Sequence, residues 1–336
     1  MLVTCAGILV VDLIAANLPK VSSPGELTYV PSGIEVHMGG HCGNVSIDLR
    51  KLGIEKGWVS AIRAVGKDVF GDFLENLLEK HGVITHLQRI SEAGTSKDLI
   101  LVVKGEDRRF HADIGANRYL NPDYILRVLE DERPRVFYVG GVGLTETLDK
   151  HLPSVLRKAK DLGCITFVDP VKPYMHGWDF ITSSMRWIDV FHCNDDEGKE
   201  ITGEGNPEKA AISLREEGAK IVIISLGEMG LIAATEDAII EMPAFKVPVI
   251  DPTGAGDALC AGIIRGFLRI ADHRGRGVSD LSPERLTNVL LEGEAAGAAC
   301  VTMVGTTTAV TDENVSKILK EQGEKILSRH VKIKSL

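Results

Sequence analysis

Apolar and polar positions along the chain fall into two alternating rhythms. Short apolar runs at residues 2–11, 56–62, 135–139, 164–168, 188–193 and 219–225 are bounded by turn residues, and each predicts a strand. Between most of them the period lengthens to that of a helix: over 43–52, Val45, Leu49 and Leu52 share one face, and 147–160 is similar. Strands alternating with helices predict an α/β fold, with a mainly parallel sheet covered on both sides and ligands at the carboxyl ends of its strands.

Two stretches break this rhythm. Residues 26–38 (ELTYVPSGIEVHM) and 97–113 (KDLILVVKGEDRRFHAD) read as strands without intervening helices, the second folding over a Gly105-Glu106-Asp107 turn. They predict a small antiparallel sheet outside the main one. Ile34, Val36 and Met38 alternate with Glu35 and His37, so one face of it is apolar and must cover something, as a lid or as a dimer contact. With no repeat, low-complexity tract or long linker in 336 residues, the chain is expected to form one domain, 1–336, with this lid as its appendage.

Composition narrows the function classes. The chain is 44% hydrophobic and 25% charged, an ordinary globular balance. A net charge of −9 opposes binding to nucleic-acid backbones or acidic membranes, so any phosphate must be met by a local feature. Cys5, Cys42, Cys164, Cys193, Cys260 and Cys300 are scattered without paired spacing and read as reduced, buried thiols of a cytoplasmic protein. The first residues, broken by Asp12, read as a core strand and not as a signal peptide or membrane span.

The segment VIDPTGAGDALCAGII, 249–264, carries the sharpest chemistry. A helix start offers unpaired N–H donors, so a capping role for Asp257 is the ordinary explanation. Gly254 and Gly256 ask for more, because glycines there let the backbone approach a phosphate closely. An acid beside a phosphate seat suggests phosphoryl transfer. In HMGGHCGNVSIDLRKLG, 37–53, Gly39 and Gly40 close a strand and Asn44 lies on the first turn of a helix, suited to hydroxyl groups or simply to capping a tight turn. Asp12, at the end of the first apolar run, needs donors such as sugar hydroxyls or a backbone amide. Asn194 and Glu197, three apart on one helical face, suit a hydrated magnesium ion and equally make a capping box. Ser225, Gly227 and Gly230 follow a strand where a nucleotide phosphate could lie, or form a plain hairpin turn.

Taken in chain order, Asp12, Gly39-Gly40 to Asn44, Gly66-x-Asp68-x-x-Gly71, Gly115-Ala116-Asn117, Asp169-Pro170, Asn194-x-x-Glu197, Ser225-x-Gly227-x-x-Gly230 and DPTGAGD at 251–257 resemble the PfkB/ribokinase family of sugar kinases over nearly the whole chain. The resemblance implies a ribokinase-like doubly wound fold and transfer of the γ-phosphoryl group of ATP to a hydroxyl. It makes Asp257 the base, and Gly254, Ala255 and Gly256 the anion hole. Asn194 and Glu197 become the magnesium environment, Ser225, Gly227, Gly230 and Thr253 part of the nucleotide site, and Asp12, Gly39, Gly40 and Asn44 the acceptor site. Backbone carbonyls around Asp251 and Thr253 resemble the family's monovalent-cation site, for an ion such as potassium. Cys42, His41, Val171 and Lys172 depart from the family pattern and put the sugar, not the reaction, in doubt. Free sugars lead as acceptors, ahead of nucleosides, inositols and sugar phosphates. A phosphorylated acceptor would need Lys97, Arg108 or Arg109 of the lid as its clamp. A homodimer through the lid is expected, and a non-catalytic sensor has no use for the retained Asp257.

Overall fold

The computed structural model describes residues 1–106, 108–270, 278 and 281–336. Asp107 of the expected hairpin turn lies outside them. Among the described residues, fourteen strands form two sheets. The large one uses β1 (Val3–Gly7), β4 (Val59–Gly66), β5 (Ile84–Ile90), β8 (Val136–Val142), β9 (Ile165–Pro170), β10 (Val190–Asn194), β11 (Ile221–Ser225), β12 (Leu231–Ala234), β13 (Ala238–Met242) and β14 (Lys332–Ser335). The small one uses β2 (Val10–Leu18), β3 (Ile34–Gly39), β6 (Lys97–Val103) and β7 (Arg108–Asp113).

The large sheet runs β14-β13-β12-β11-β10-β9-β8-β1-β4-β5, parallel from β11 to β5 and antiparallel from β11 to β14. Its central strands are apolar throughout because both faces are covered. Val136 and Tyr138 of β8 feed one core and Phe137 and Val139 the other, and Ile221, Ile223 and Val222, Ile224 of β11 divide the same way. The expected helix over 43–52 is His41–Lys51, with Val45 and Leu49 fully buried, whereas 147–160 divides into Glu146–Asp149 and Leu152–Asp161, the second with Pro153 in its first turn.

The first apolar run is not one core strand. The chain leaves the large sheet after Gly7, and Val10–Leu18 becomes the second strand of the small sheet, ordered β3-β2-β6-β7. Two antiparallel pairs, β2/β3 and β6/β7, are joined in parallel through β2 and β6. Asp12 therefore belongs to the lid, not to the end of a core strand. Of the stretch 26–38 only Ile34 onward is strand, and its apolar face is turned outward: Ile34 is 63% and Val36 46% exposed, joined by Leu99, while Met38 alone is buried.

Gly7 sets the departure of the lid from the sheet. Its φ is +135°, and a Cβ there would overlap the Gly140 carbonyl oxygen of the neighbouring strand. Gly53 has φ +97° with open space around a Cβ. Gly53→Ala is expected to cost about 1 kcal/mol of backbone strain and Gly7→Ala at least about 3 kcal/mol, read by urea unfolding. Equal losses would show that the Gly7–Gly140 approach is not a constraint.

Candidate active site

A cavity of about 420 Å³ lies between the small sheet and the carboxyl ends of the parallel strands. Helix starts, strand ends and lid each contribute to its wall. Gly254, with φ +84°, turns the chain into the helix Ala255–Ile270; a Cβ there would press on Thr306. The amides of Gly256 and Asp257 make no hydrogen bond to the described residues and sit at the positive end of a sixteen-residue helix. Together they form an anion seat.

Asp257, third residue of that helix, is 8% exposed. Asn44 Nδ2 donates to its Oδ2 at 2.7 Å, and Thr306 Oγ1 fixes the amide by donating to Asn44 Oδ1 at 2.8 Å. Oδ1 of Asp257 is buried without a partner. Burial pushes this carboxyl above its ordinary range and Asp169 adds to the effect, while His41, Asn44 and His192 hold it down. A carboxylate with one oxygen tied and the other open toward the cavity is built to accept a proton.

His41 opens the first long helix, and its ring shares a cluster with Asp169 and Asp257. Burial opposes its charge, but Asp257, Asp169 and Glu197 outweigh that and shift it upward. Asp169 accepts from Tyr138 Oη at 2.8 Å and from His192 Nδ1 at 2.9 Å, and the other His192 nitrogen lies 3.2 Å from Ser225 Oγ. These partners, His192 foremost, overcome burial and keep Asp169 below the usual carboxylate range. His192 was not singled out by sequence reasoning. Its signal is weak, one polar residue inside the apolar run 188–193.

Asn194 and Glu197 do make the capping box: Glu197 N–H donates to Asn194 Oδ1 at 2.8 Å and Asn194 N–H to Glu197 Oε2 at 3.0 Å. Both also line the cavity, and with Asp196, Lys199, Glu200 and Lys172 they border a second one of about 580 Å³. The cap uses one oxygen of each side chain and leaves the second Glu197 oxygen available, a donor set that fits a water-surrounded magnesium ion. Ser225 and Thr253 line the first cavity, but Gly227 and Gly230 lie in a short turn joining β11 to antiparallel β12, away from it. Lys172 is exposed and paired with Glu200.

The Asp251 carboxylate is taken up by protein donors. Its Oδ1 accepts from Thr253 N–H at 3.0 Å, Thr253 Oγ1 at 2.6 Å and Arg108 Nη1 at 3.1 Å, and its Oδ2 accepts from Gly305 N–H at 3.3 Å. Arg108 also donates to Thr253 Oγ1, so the lid guanidinium sits on both side chains, whereas the expected monovalent-ion ligands are backbone carbonyls. Lys97 is bonded to Asp113 at 3.1 Å and to the Thr95 carbonyl, and Arg109 to Glu106; neither lines the cavity. Cys42 is a packing residue: burial pushes its thiol up to about 11, too high for a nucleophile.

From the lid, Asp12 and Asp98 face the cavity with Val10, Ile100, Phe110 and Ala112. Gly39 and Gly40 pass beneath, Gly39 packed so closely on Asp12 that a Cβ would collide with its carboxylate. Asp98 was missed, although alternation along 97–113 separates Asp98 and Ile100 from Lys97 and Leu99. Asn117 grips the chain where it crosses to the lid, accepting from Leu9 N–H at 3.2 Å and donating to Leu9 O at 3.0 Å.

A sequence model described as pfkB family carbohydrate kinase matches residues 2–313. The chain belongs to this family. It is 30% identical to Fructokinase-2 of Oryza sativa subsp. japonica over 83% of the chain and 85% of the relative, and 28% identical to aminoimidazole riboside kinase of Salmonella typhimurium over 81% and 84%. Its fold is shared with fructokinase with bound ATP from Xylella fastidiosa, at TM-score 0.79, 22% identity and 96% and 98% coverage. A putative ribokinase II in complex with ATP and Mg from E. coli gives TM-score 0.77, 19% identity and 95% and 99% coverage. This carbohydrate kinase is an α/β enzyme with a large, mostly parallel sheet and a small lid sheet, as the sequence implied. Among its described residues no helix is long and apolar enough to cross a membrane.

The Asn44 contact gives a pH test. A hydrogen bond to the ionised form lowers a carboxyl pKa, so Asn44→Ala raises that of Asp257. A base must be deprotonated to work, and the acid limb of kcat/KM is expected to move to higher pH in Asn44→Ala. An unmoved limb would separate Asn44 from the tuning of Asp257.

Proposed function

We propose that this carbohydrate kinase moves the γ-phosphoryl group of ATP to a hydroxyl of an unphosphorylated polyol, with Asp257 as general base. The buried, unpartnered Oδ1 of Asp257 beside the open helix-start amides carries this reading. The acceptor oxygen attacks the γ-phosphorus as the β,γ-bridging P–O bond breaks, ADP leaves, and the hydroxyl proton passes to Asp257 Oδ1. The amides of Gly256 and Asp257 face the charge that grows on the transferred group. Magnesium, held through water by Asn194 and Glu197, supplies positive charge to the phosphate chain.

A free acceptor is supported by the cavity wall, which has Asp12, Asp98, Asp113, Asp169, Glu197 and Asp257 but no Lys or Arg among its lining residues. A phosphorylated acceptor requires a cation there. Asp257→Asn is expected to keep the fold and lower kcat by about 10²–10⁴ against the best of a panel of sugars, inositols, nucleosides and their phosphates. Near-wild-type turnover would remove Asp257 from the role, and a phosphate ester as best acceptor would overturn the free-polyol assignment.

The lid also supports association. Ile34, Val36 and Leu99 present an apolar outer face beside the half-buried Leu13 and Leu101, and a second copy of the same sheet is self-complementary to it. Val36→Asp is expected to shift a dimer to monomer in sedimentation and to raise the acceptor KM. A wild-type protein that is monomeric at all concentrations would sink the dimer.

A further inference from the structure

Resting on the sugar-kinase reading of this site, we propose that the acceptor carries a positively charged amino group beside its hydroxyls, and that Asp98 reads that charge together with Asp12. Asp12 and Asp98 are direct register partners across the parallel β2/β6 pair, and Asp98 faces Ala112, as Ile100 faces Phe110, across β6/β7. All six residues Val10, Asp12, Asp98, Ile100, Phe110 and Ala112 line the cavity. The lid thus closes over the acceptor with two adjacent carboxylates set in an apolar surround.

Asp12 is 8% exposed, its carboxylate makes no hydrogen bond to the described residues, and the Gly39 backbone packs closely against it. Its burial and the neighbouring Asp98 push its carboxyl up to about 7, and Asp98 is itself raised by burial and Asp113. Among the described residues, the basic side chains near this pair have other partners: Lys97 is paired with Asp113, the His37 ring is 2.6 Å from Glu35, and Arg108 reaches Asp251 and Thr253 at the far end of the hairpin.

Like charges opposite one another in a sheet repel, and burial strengthens the repulsion. Hydroxyl groups alone would satisfy the lone pairs but leave the repulsion to be relieved only by a proton on the pair. An ammonium group between them satisfies lone pairs and charge together, in surroundings where the apolar walls of Ile100 and Phe110 reduce screening by water. Asp98 is on this reading a specificity residue. It selects among polyols that Asp12, Asn44 and Asp257 would otherwise treat alike.

The test uses matched acceptors differing by one group, glucosamine with glucose and 1-amino-1-deoxyfructose with fructose. Kd is measured by calorimetry with a non-hydrolysable ATP analogue, and kcat/KM by ADP release. The amino compound is expected to exceed its hydroxyl twin by about tenfold or more in the preferred pair, and Asp98→Asn to bring the ratio close to one while Asp98→Glu retains a preference. Hydroxyl compounds equal or better in both pairs, or a preference that survives Asp98→Asn, would overturn the proposal. Turnover without charge preference refutes this inference and leaves the kinase reading intact. Charge preference in Kd without turnover supports it and counts against the kinase reading.

Discussion

The hydrogen bond between Asn44 and Asp257 joins side chains 213 positions apart in sequence and holds the two functional halves of the molecule in one place. Asn44 lies one turn into the helix that follows the lid, and Asp257 one turn into the helix that carries the anion seat. With Thr306 behind it, the contact fixes the distance between the point where an acceptor enters and the point where a phosphoryl group is held. In-line transfer depends on that distance more than on any single group, because positioning supplies much of the rate. The contact also sets the chemistry of the base, since it satisfies one carboxylate oxygen and leaves the other to the acceptor.

The lid hangs from the same region. After Gly7 the chain bends out of the large sheet, Asn117 secures both polar groups of the Leu9 backbone, and the return strand β3 ends on Gly39 and Gly40 against Asp12. Close backbone packing at Gly7, Gly39 and Gly40 lets the chain leave β1 in the core and continue as β2, which carries Asp12 over the cavity. Arg108 ties the far end of the lid to Asp251 and Thr253, next to the anion seat. The lid and the 251–257 segment are therefore in direct contact.

The alternating apolar runs made most of the parallel sheet legible, since strands buried on both faces leave little other pattern to read. The glycine-flanked acid at 251–257 and the Asn44 segment were legible because few arrangements require those residue types together. What the run 2–11 hid was a break, since Ile8 and Leu9 are as apolar as the strands on either side and nothing in their side chains marks the bend that Gly7 makes. The lid's orientation was hidden for a related reason. Alternation along 34–38 separates two faces but does not say which faces inward, and it is the face of His37 and Asp12 that turns to the cavity side while Ile34 and Val36 look out. Arg108 could not be read as a partner of Asp251, because a contact across 143 positions has no local signature.

On the proposed reading an acidic cavity takes the phosphates of ATP, and its charges are segregated. The helix-start amides and the Asn194–Glu197 cap would meet the phosphate chain at one end, where Asp169 is paired with His192 and accepts from Tyr138. Asp12 and Asp98 would meet the acceptor at the other. Repulsion from that pair would then keep phosphate out of the acceptor half, so the sign of the wall would do for substrate selection what shape alone does poorly for small, flexible polyols. Asp257 stands at the boundary. Its proton affinity is raised by burial and restrained by His41 and Asn44, so on the proposed mechanism the same contacts that position the base also hold back its protonation.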